Sequence, residues 1–386
     1  MKPPVTARIS SFPRRATHGV SLVELLVGVA IGLIGIVAIF QAVTVWTKHT
    51  QTTSSGGDAQ VAGTLALFSI ERDIKQAGHG FGKAASGVMG CNVQTTLPGV
   101  VNLRPVEIVA SGPAGSPDII NVFYGDSSFF VEEGAFTDST LNMKRLPRLG
   151  GYRRGDIAIV AGAAASAPTA CMLIEITADN DPNGWVEHQP AAAYISAYTA
   201  SNAVARFNGA SSPAFGVGNI YNLGPTPRYD VWTIDNSHTL ARVDQLSAVP
   251  VSMQIADGVV NMKAEYGYDA DSNGRIDNAE WLTALPLGAD WTRVLAVRVA
   301  VLVRSRQFER NGDPGASGAA AITPTSKNPQ YFSTPAPAKQ FLMTNVDGTA
   351  DGFGDANPDP NNWRYYRYRV YERVIPLRNV LWGTYG

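Results

Sequence analysis

The chain has 386 residues, of which 45% are hydrophobic and 16% are charged, and its 31 Lys and Arg nearly balance its 32 Asp and Glu, so the formal net charge is −1. This balance argues against a dedicated nucleic-acid binder, which would carry a basic excess, and five scattered His without an HExxH motif argue against a zinc hydrolase. With 38 Gly, 24 Pro and few charges, the composition favours a loop-rich β protein over a helical bundle or an acidic disordered chain.

An uncharged apolar run near the N-terminus is the strongest signal in the sequence. Residues 25–47, LLVGVAIGLIGIVAIFQAVTVWT, would form a helix of roughly 35 Å, which exceeds the bilayer core of about 30 Å. Trp46 lies at the expected interfacial position, and Lys48 follows the run. Residues 1–19 contain basic side chains and no acidic one, so we expect the leader to stay cytoplasmic and the remaining chain to be exported.

Two simpler explanations compete for this apolar run. An ordinary secretory signal has an apolar region of about 7–15 residues and a nearby small-x-small cleavage site, whereas this run is longer and lacks such a site. A plain membrane anchor fits the length but gives no role to Glu24, which lies at the edge of the run. An ionisable residue in that position is costly and usually functional, so Glu24 favours a more specific function.

Residues 14–26, RRATHGVSLVELL, resemble the class III signal of type IV prepilins and type II secretion pseudopilins. The resemblance implies that a prepilin peptidase of the inner membrane cleaves after Gly19 and methylates the amine of Val20, which makes Glu24 the fifth residue of the mature chain. Most members of the family begin the mature chain with Phe, where this sequence has Val20.

The position of Glu24 suggests a role in filament assembly. In a packed helical filament its carboxylate would need a cationic partner, because an unpaired buried charge is expensive. The N-terminal amine of Val20, on the same or a neighbouring subunit, is the expected partner, and the pair would set the axial register of assembly. The alternative is a carboxylate that extends to the cytoplasmic headgroups.

Helical periodicity resumes after the polar segment 48–58. Apolar residues spaced by three and four predict two sets of buried positions, and the polar side chains of 71–73 and 75 are expected on the opposite face. Residues 77–80, AGHG, are typical of the end of a helix. We therefore predict one helix over 20–77 with a kink near Gly56 and Gly57. The two apolar sets are Val61, Leu65 and Phe68, followed by Leu67, Ile70 and Ile74.

The segment 68–78, FSIERDIKQAG, resembles the end of the first helix in PilW-type minor pilins. The sequence after it predicts β structure with long loops, so helix and head together predict an α+β fold. The expected divisions are a leader (1–19), a transmembrane half-helix (20–47), a periplasmic half-helix (48–80) and a β-rich head (81–386). The strand-like runs are 106–110, 118–124, 156–160, 172–177, 229–234, 251–255, 258–268 and 294–304.

Cys91 and Cys171 are the only two cysteines of the chain. If the head is exported to an oxidising compartment, these two residues should form a disulfide. The alternative is a pair of free buried thiols.

Residues 269–280, DADSNGRIDNAE, match the twelve-residue EF-hand calcium loop at its diagnostic positions. Gly274 permits the sharp turn and Ile276 is the usual apolar anchor, but strand-like residues precede the loop where an EF-hand has a helix. We therefore predict an isolated calcium loop between strands, with an acidic turn that binds no metal as the alternative. The predicted ligands, of which Arg275 offers its backbone carbonyl, are Asp269, Asp271, Asn273, Arg275, Asp277 and Glu280.

Three other segments are weaker candidates for binding sites. The acidic segments 179–184 and 347–359 lack the complete loop spacing and are predicted to be turns. Residues 364–373, RYYRYRVYER, combine basic and aromatic side chains that could stack on single-stranded DNA, but they also alternate like a late strand, which is the favoured interpretation. No nucleophile, P-loop or dinucleotide signature is present, so the sequence gives no support for an enzyme.

The resemblance implies a minor pilin that joins other minor pilins in a complex priming pilus assembly, with the tip as its expected place. The expected partners are the other minor pilins, the major pilin, the prepilin peptidase and inner-membrane lipid; DNA is a less favoured partner. The expected location is the inner membrane, with the head in the periplasm, and then the pilus. A type II secretion pseudopilin is one alternative, and a pilus-displayed adhesin or DNA-uptake receptor is another from a different class.

Overall fold

The computed structural model describes residues 19–85, 87–96, 101–110, 115–127, 134–163, 171–209, 215–309, 325, 327–334, 337–350 and 359–385, without the side chains of 48–49, 51–55 and 384–385. The predicted leader therefore lies outside the described residues, except for Gly19. The chain divides into two compact units, with the boundary between Ser54 and Ser55. We call the second unit the head.

Helix α1 spans Leu22–Gln76 and contributes to both units. Ser21 begins it, because its hydroxyl oxygen accepts a hydrogen bond from the Val23 amide at 3.2 Å. The helix continues through Gly56 and Gly57, and it ends before Gly78, whose φ of 77° is readily adopted only by glycine. The predicted helix over 20–77 is confirmed to within two residues at each end.

Within the described ranges the head has 22 strands, most of them short. The first twelve are β1 (Asn92–Gln94), β2 (Val101–Asn102), β3 (Val106–Val109), β4 (Ile119–Tyr124), β5 (Gly134–Phe136), β6 (Asp138–Ser139), β7 (Met143–Arg145), β8 (Ile157–Gly162), β9 (Cys171–Glu175), β10 (Trp185–Glu187), β11 (Ala193–Ile195) and β12 (Asn202–Val204).

The remaining strands include the longest ones. They are β13 (Gly218–Gly224), β14 (Arg228–Ile234), β15 (Thr239–Asp244), β16 (Ser252–Asp257), β17 (Val259–Tyr268), β18 (Trp281–Leu282), β19 (Val294–Arg304), β20 (Gln330–Tyr331), β21 (Lys339–Gln340) and β22 (Tyr368–Pro376). Single-turn 3-10 helices cover Asn278–Glu280, Trp291–Arg293 and Trp363–Tyr365, and helix α2 spans Arg378–Tyr385.

Three larger sheets organise these strands. The first sheet has the order β16-β15-β14-β4-β3, and the second has the order β18-β17-β19-β22; both are antiparallel. A six-stranded sheet has the order β2-β1-β9-β8-β13-β5, and its β1–β9 pairing is parallel whereas its other pairings are antiparallel. All eight predicted strand runs are present, and the fold is α+β as predicted.

The first and second sheets share one apolar core with the head half of α1. Ile70 and Ile74 of the helix are fully buried there, together with Trp232 of β14 and the alternate valines of β19. Gly63 lets the helix approach β22 closely, because a Cβ at this position would overlap the Tyr371 ring. The close approach explains why small residues such as Ala66 lie at the centre of the buried helix face.

The prediction that the first apolar set of α1 is buried against the head is wrong. Val61, Leu65 and Phe68 are 68%, 44% and 61% exposed, whereas Leu67, Ile70 and Ile74 are buried. Tight packing turns the face with Gly63 and Ala66 toward the sheets, which leaves the larger side chains of the first set on the outside. We call Val61, Leu65 and Phe68 the open flank of α1.

The disulfide between Cys91 and Cys171 is present, as predicted, and joins the segment before β1 to the first residue of β9. Both cysteines are buried in a second apolar core, together with residues of the six-stranded sheet such as Ile159 and Leu173. The two residues are 80 positions apart in sequence, so the bond closes a long loop.

The C-terminal end of the chain packs against the end of α1. The Asn379 side-chain amide donates hydrogen bonds to the carbonyl oxygens of Gln76 at 3.1 Å and Ala77 at 3.0 Å, which satisfies acceptors that a helix leaves unpaired at its C-terminus. Arg373 of β22 forms an ion pair with Glu71 of α1 at 3.1 Å. Residues 364–373 lie in the 3-10 turn before β22 and in the first part of β22, which agrees with the favoured interpretation of this segment as a late strand.

Candidate functional sites

The N-terminal unit presents an apolar surface on all sides. Residues Leu22–Thr47 form a helix of 26 residues that is long and apolar enough to cross a membrane, and no part of its most apolar stretch is buried. Gly19, Val20 and Glu24 are exposed at its start, with Glu24 in the first turn. Cleavage after Gly19 and pairing of Glu24 with the amine of Val20 stay predictions.

The twelve-residue loop 269–280 connects β17 to β18, so strands flank it, as predicted, in place of EF-hand helices. Its carboxylates converge, because ligand atoms of Asp269, Asp271 and Glu280 all lie within 4.8 Å of one another. Asp269 and Glu280 are buried, whereas Asp271 is exposed. Three carboxylates at this separation repel one another when ionised, and a divalent cation would relieve the repulsion.

Backbone amides fix the orientation of these carboxylates. The two carboxylate oxygens of Asp269 accept hydrogen bonds from the amides of Asn273 at 3.0 Å and Gly274 at 2.9 Å. Those of Glu280 accept from Ala270 at 2.6 Å and Asp277 at 2.7 Å, which ties the two ends of the loop together. The residues fit a calcium site, since they offer hard oxygen donors from one continuous turn.

The loop is anchored to the second sheet by apolar and aromatic contacts. Gly267 leaves room for Ile276 and Trp281, whose atoms would lie 3.1–3.2 Å from a Cβ at that position. The Trp281 ring lies 4.7 Å from the guanidinium of Arg298, which also donates a hydrogen bond to Glu265 at 2.8 Å. An ion in the loop would therefore be held beside Ile276 and Trp281, which contact Gly267 and Arg298 of the second sheet.

The two weaker acidic segments form turns where the structure describes them. Asp181 accepts a hydrogen bond from the Asn183 amide at 2.6 Å, and Asp179 forms an ion pair with Arg154 at 3.1 Å. In the second segment, Asp347 accepts a hydrogen bond from the Thr349 amide at 2.9 Å. Residues 351–358 of that segment lie outside the described residues.

A buried cluster of charges joins α1 to the first sheet. Arg242 of β15 lies 3.3 Å from Asp73 of α1 and 3.7 Å from Asp230 of β14. Asp230 also pairs with Arg228 at 3.0 Å and accepts a hydrogen bond from the Tyr124 hydroxyl at 3.0 Å. Because a carboxylate needs a partner when it is buried, this cluster fixes the helix on the sheet.

The helical pattern predicts Asp73 on the polar face of α1, and this prediction is wrong, because Asp73 is fully buried. Burial, reinforced by the charge of Asp230, raises the pKa of the Asp73 carboxyl above its usual range, although Arg242 opposes the shift. One feature of the sequence indicates that Asp73 is buried. Asp73 directly precedes Ile74 and lies three residues after Ile70, so it borders the buried stripe of α1.

Among the described residues, one membrane-length apolar helix and a strand-rich head are the features expected of a pilin-like protein. Residues 229–379 match the family model described as PilW, Type IV Pilus-assembly protein W. The match covers β14 to β22, including the 269–280 loop, and less than half of the chain. The match supports a PilW-like type IV pilus protein, and the apolar helix fits a single-pass membrane anchor. No curated protein and no solved structure matches the chain.

Proposed function

We propose that this chain is a minor pilin that helps to prime assembly of the type IV pilus as part of a minor-pilin complex at the pilus tip. The observation that carries the proposal is the head that matches the PilW family and follows a membrane-length helix with a prepilin-type start. The proposed partners are other minor pilins and the major pilin. The proposal assigns assembly to α1 and partner contacts to the head, and it assigns no catalytic role to either.

The disulfide and the helix together support a route through the inner membrane. A disulfide such as Cys91–Cys171 forms and persists in an oxidising compartment, so it is consistent with a periplasmic head before the protein enters the pilus. The apolar surface of Leu22–Thr47 would contact lipid before assembly and neighbouring subunits afterwards.

Deletion of the chain, combined with mass spectrometry of sheared pili from the parent strain, tests the proposal. We expect few or no pili in the deletion strain and, in parental pili, a chain that begins at methylated Val20. Normal pili in the deletion strain that have lost only surface or DNA binding would favour the displayed receptor instead. Loss of protein secretion with normal pili would favour a type II secretion pseudopilin.

We further propose that residues 269–280 bind calcium, through the side chains of Asp269, Asp271, Asn273, Asp277 and Glu280 and the carbonyl of Arg275. Bound calcium would add its binding free energy to the stability of the head. The support is the convergence of three carboxylates on oriented backbone amides, in a segment with complete loop spacing.

Calcium is expected to stabilise the full-length chain in detergent. At a free concentration about 100 times the dissociation constant, the free energy of unfolding should rise by about 2.7 kcal/mol relative to a chelator, as measured by thermal unfolding with tryptophan fluorescence. The paired substitution Asp269→Ala with Glu280→Ala should remove this difference. The matched control Asp181→Asn, in the exposed turn, should keep it, and equal midpoints with calcium and chelator in the native chain would refute the metal site.

A further inference from the structure

The open flank of α1 is a large apolar surface in the head. Val61, Leu65 and Phe68 lie at helical spacing on one stripe and are 68%, 44% and 61% exposed. Asp58 and Arg72 lie on the same stripe beyond its two ends. Three large apolar side chains in a row on the outside of a helix that otherwise packs well indicate a surface that another molecule covers.

Strand β16 runs beside this flank and forms an edge of the first sheet. Within the described residues it pairs with β15 on one side and with no strand on the other. Val251, just before the strand, and Met253, within it, are 68% and 54% exposed. The strand contains no Pro or Lys of the kind that protects an edge from pairing, and its register with β15 shifts only between Gln254 and Ala256. The outer backbone groups of the regular part before this shift can therefore accept another strand.

The register of β16 shows which way its apolar side chains face. Met253 is paired with Arg242, whose guanidinium reaches Asp73 of α1 and lies 3.7 Å from the Met253 sulfur. Met253 therefore faces the helix side of the sheet, and Val251 shares that face by alternation. Between α1 and β16 lies a cavity of about 510 Å³ that is lined by residues such as Leu65 and Ile255.

We propose that β16 receives an extended strand from another pilus component, which pairs with its open edge and lays apolar side chains on the open flank of α1. The inference rests on the proposed function. Helix α1 shares its apolar core with the first sheet, and that sheet ends at β16, beside a cavity that Val61 and Leu65 line. One added strand would therefore place its inward side chains against the open flank. In such a pairing, main-chain hydrogen bonds to the edge strand supply affinity, and the surfaces that receive alternate side chains of the added strand supply selectivity.

The surroundings define the chemistry of the incoming strand. Ser252 and Gln254, on the opposite face of β16, are polar and uncharged, and the charges at the end of the strand, Asp257 and Arg306, already pair with each other at 2.7 Å. A strand of about five or six residues, apolar at alternate positions and uncharged between them, fits this edge best. A strand with acidic or basic inward side chains would bury an unpaired charge.

Amide hydrogen exchange tests the pairing directly. The probe is the sheared pilus fraction of the same cells, in which the exchange of residues 251–257 is compared with that of the purified full-length chain in detergent. We expect some of these amides to exchange at least tenfold more slowly in the pilus fraction. Equal rates would overturn the proposal, as would protection that rises with the concentration of the purified chain alone, which would indicate self-pairing.

Two neighbouring substitutions on opposite faces supply the matched pair. Val251→Lys places a charge under the incoming strand without touching the Arg242 cluster, and it should lower the amount of the chain recovered with sheared pili at least tenfold. Ser252→Lys adds the same charge on the other face and should leave recovery within twofold of the native chain. If deletion of the chain abolishes pili while Val251→Lys preserves recovery, the strand-pairing inference fails and the proposed function stands. If deletion has no effect on pili, the proposed function itself fails.

Discussion

Replacement of Arg242 by alanine is expected to lower the free energy of unfolding of the full-length chain by about 3–5 kcal/mol. The substitution removes the cation that lies 3.3 Å from Asp73 and 3.7 Å from Asp230, and both carboxylates are fully buried. Asp230 keeps Arg228 and Tyr124, whereas Asp73 keeps Arg72, which lies 3.4 Å away with a side chain that is 55% exposed. Most of the loss therefore arises at Asp73. Urea unfolding followed by circular dichroism in detergent measures the effect.

The control for this prediction is the same change at an exposed ion pair. Arg306 and Asp257 lie 2.7 Å apart with both side chains largely in solvent, so Arg306→Ala should cost less than about 1 kcal/mol. A loss at Arg242 no larger than the loss at Arg306 would show that the buried cluster does not hold the helix on the sheet.

The pH dependence gives a second measurement of the same cluster. Because burial raises the pKa of Asp73, the folded chain keeps the proton on this carboxyl to a higher pH than the unfolded chain does. The stability that comes from this proton is full below the ordinary pKa of 3.8 and is lost as the pH rises through the raised pKa. Asp73→Asn should therefore flatten the fall in stability over that range. An unchanged pH profile in this variant would place the titration on another group.

Loss of the disulfide is the second large effect that we expect. The paired substitution Cys91→Ala with Cys171→Ala should lower the free energy of unfolding by roughly 4–5 kcal/mol in the chain-entropy treatment, because the bond closes a loop of 80 residues. The short strand β1 depends on this bond, since it is held by two residue pairs to β2 and two to β9.

Chemical reduction of the native chain provides the comparison for this prediction. The reduced native chain and the Cys91→Ala, Cys171→Ala variant should unfold at similar urea concentrations, and both should unfold well below the oxidised chain. If the oxidised chain and the variant have equal midpoints, the bond contributes nothing to the stability of the head.

The parts of the fold that could be predicted are those encoded over a continuous stretch of sequence. Helix α1 and strand β19 could be predicted because their apolar periodicity is long and unbroken. The convergence of Asp269, Asp271 and Glu280 could be predicted because these residues lie within one twelve-residue loop motif. Strands β13 and β15 were missed, since β13 is rich in Gly and Asn and β15 contains Arg242, a buried charge that looks like a surface residue in the sequence.

The contacts between distant segments could not be predicted in the same way. Asp73 and Arg242 are 169 positions apart, and nothing local distinguishes a buried Asp on a helix from an exposed one. The wrong prediction for Val61, Leu65 and Phe68 has the same origin. Either of two apolar stripes on α1 could have faced the core, and the packing of Gly63 against Tyr371 determines which one does. Tertiary packing therefore overrides the helical pattern at these positions.

The contact between α1 and the end of the chain has a consequence for biosynthesis. Glu71 and Arg373 are 302 positions apart, and Gln76 and Asn379 are 303 positions apart, so the helix leaves the ribosome long before its partners are made. Contacts of such sequence separation form slowly, since a long loop must close before they are gained. A nascent chain would thus carry an uncapped helix and an uncovered apolar face until residues 373–379 are made, and during that interval it would depend on folding helpers to avoid aggregation.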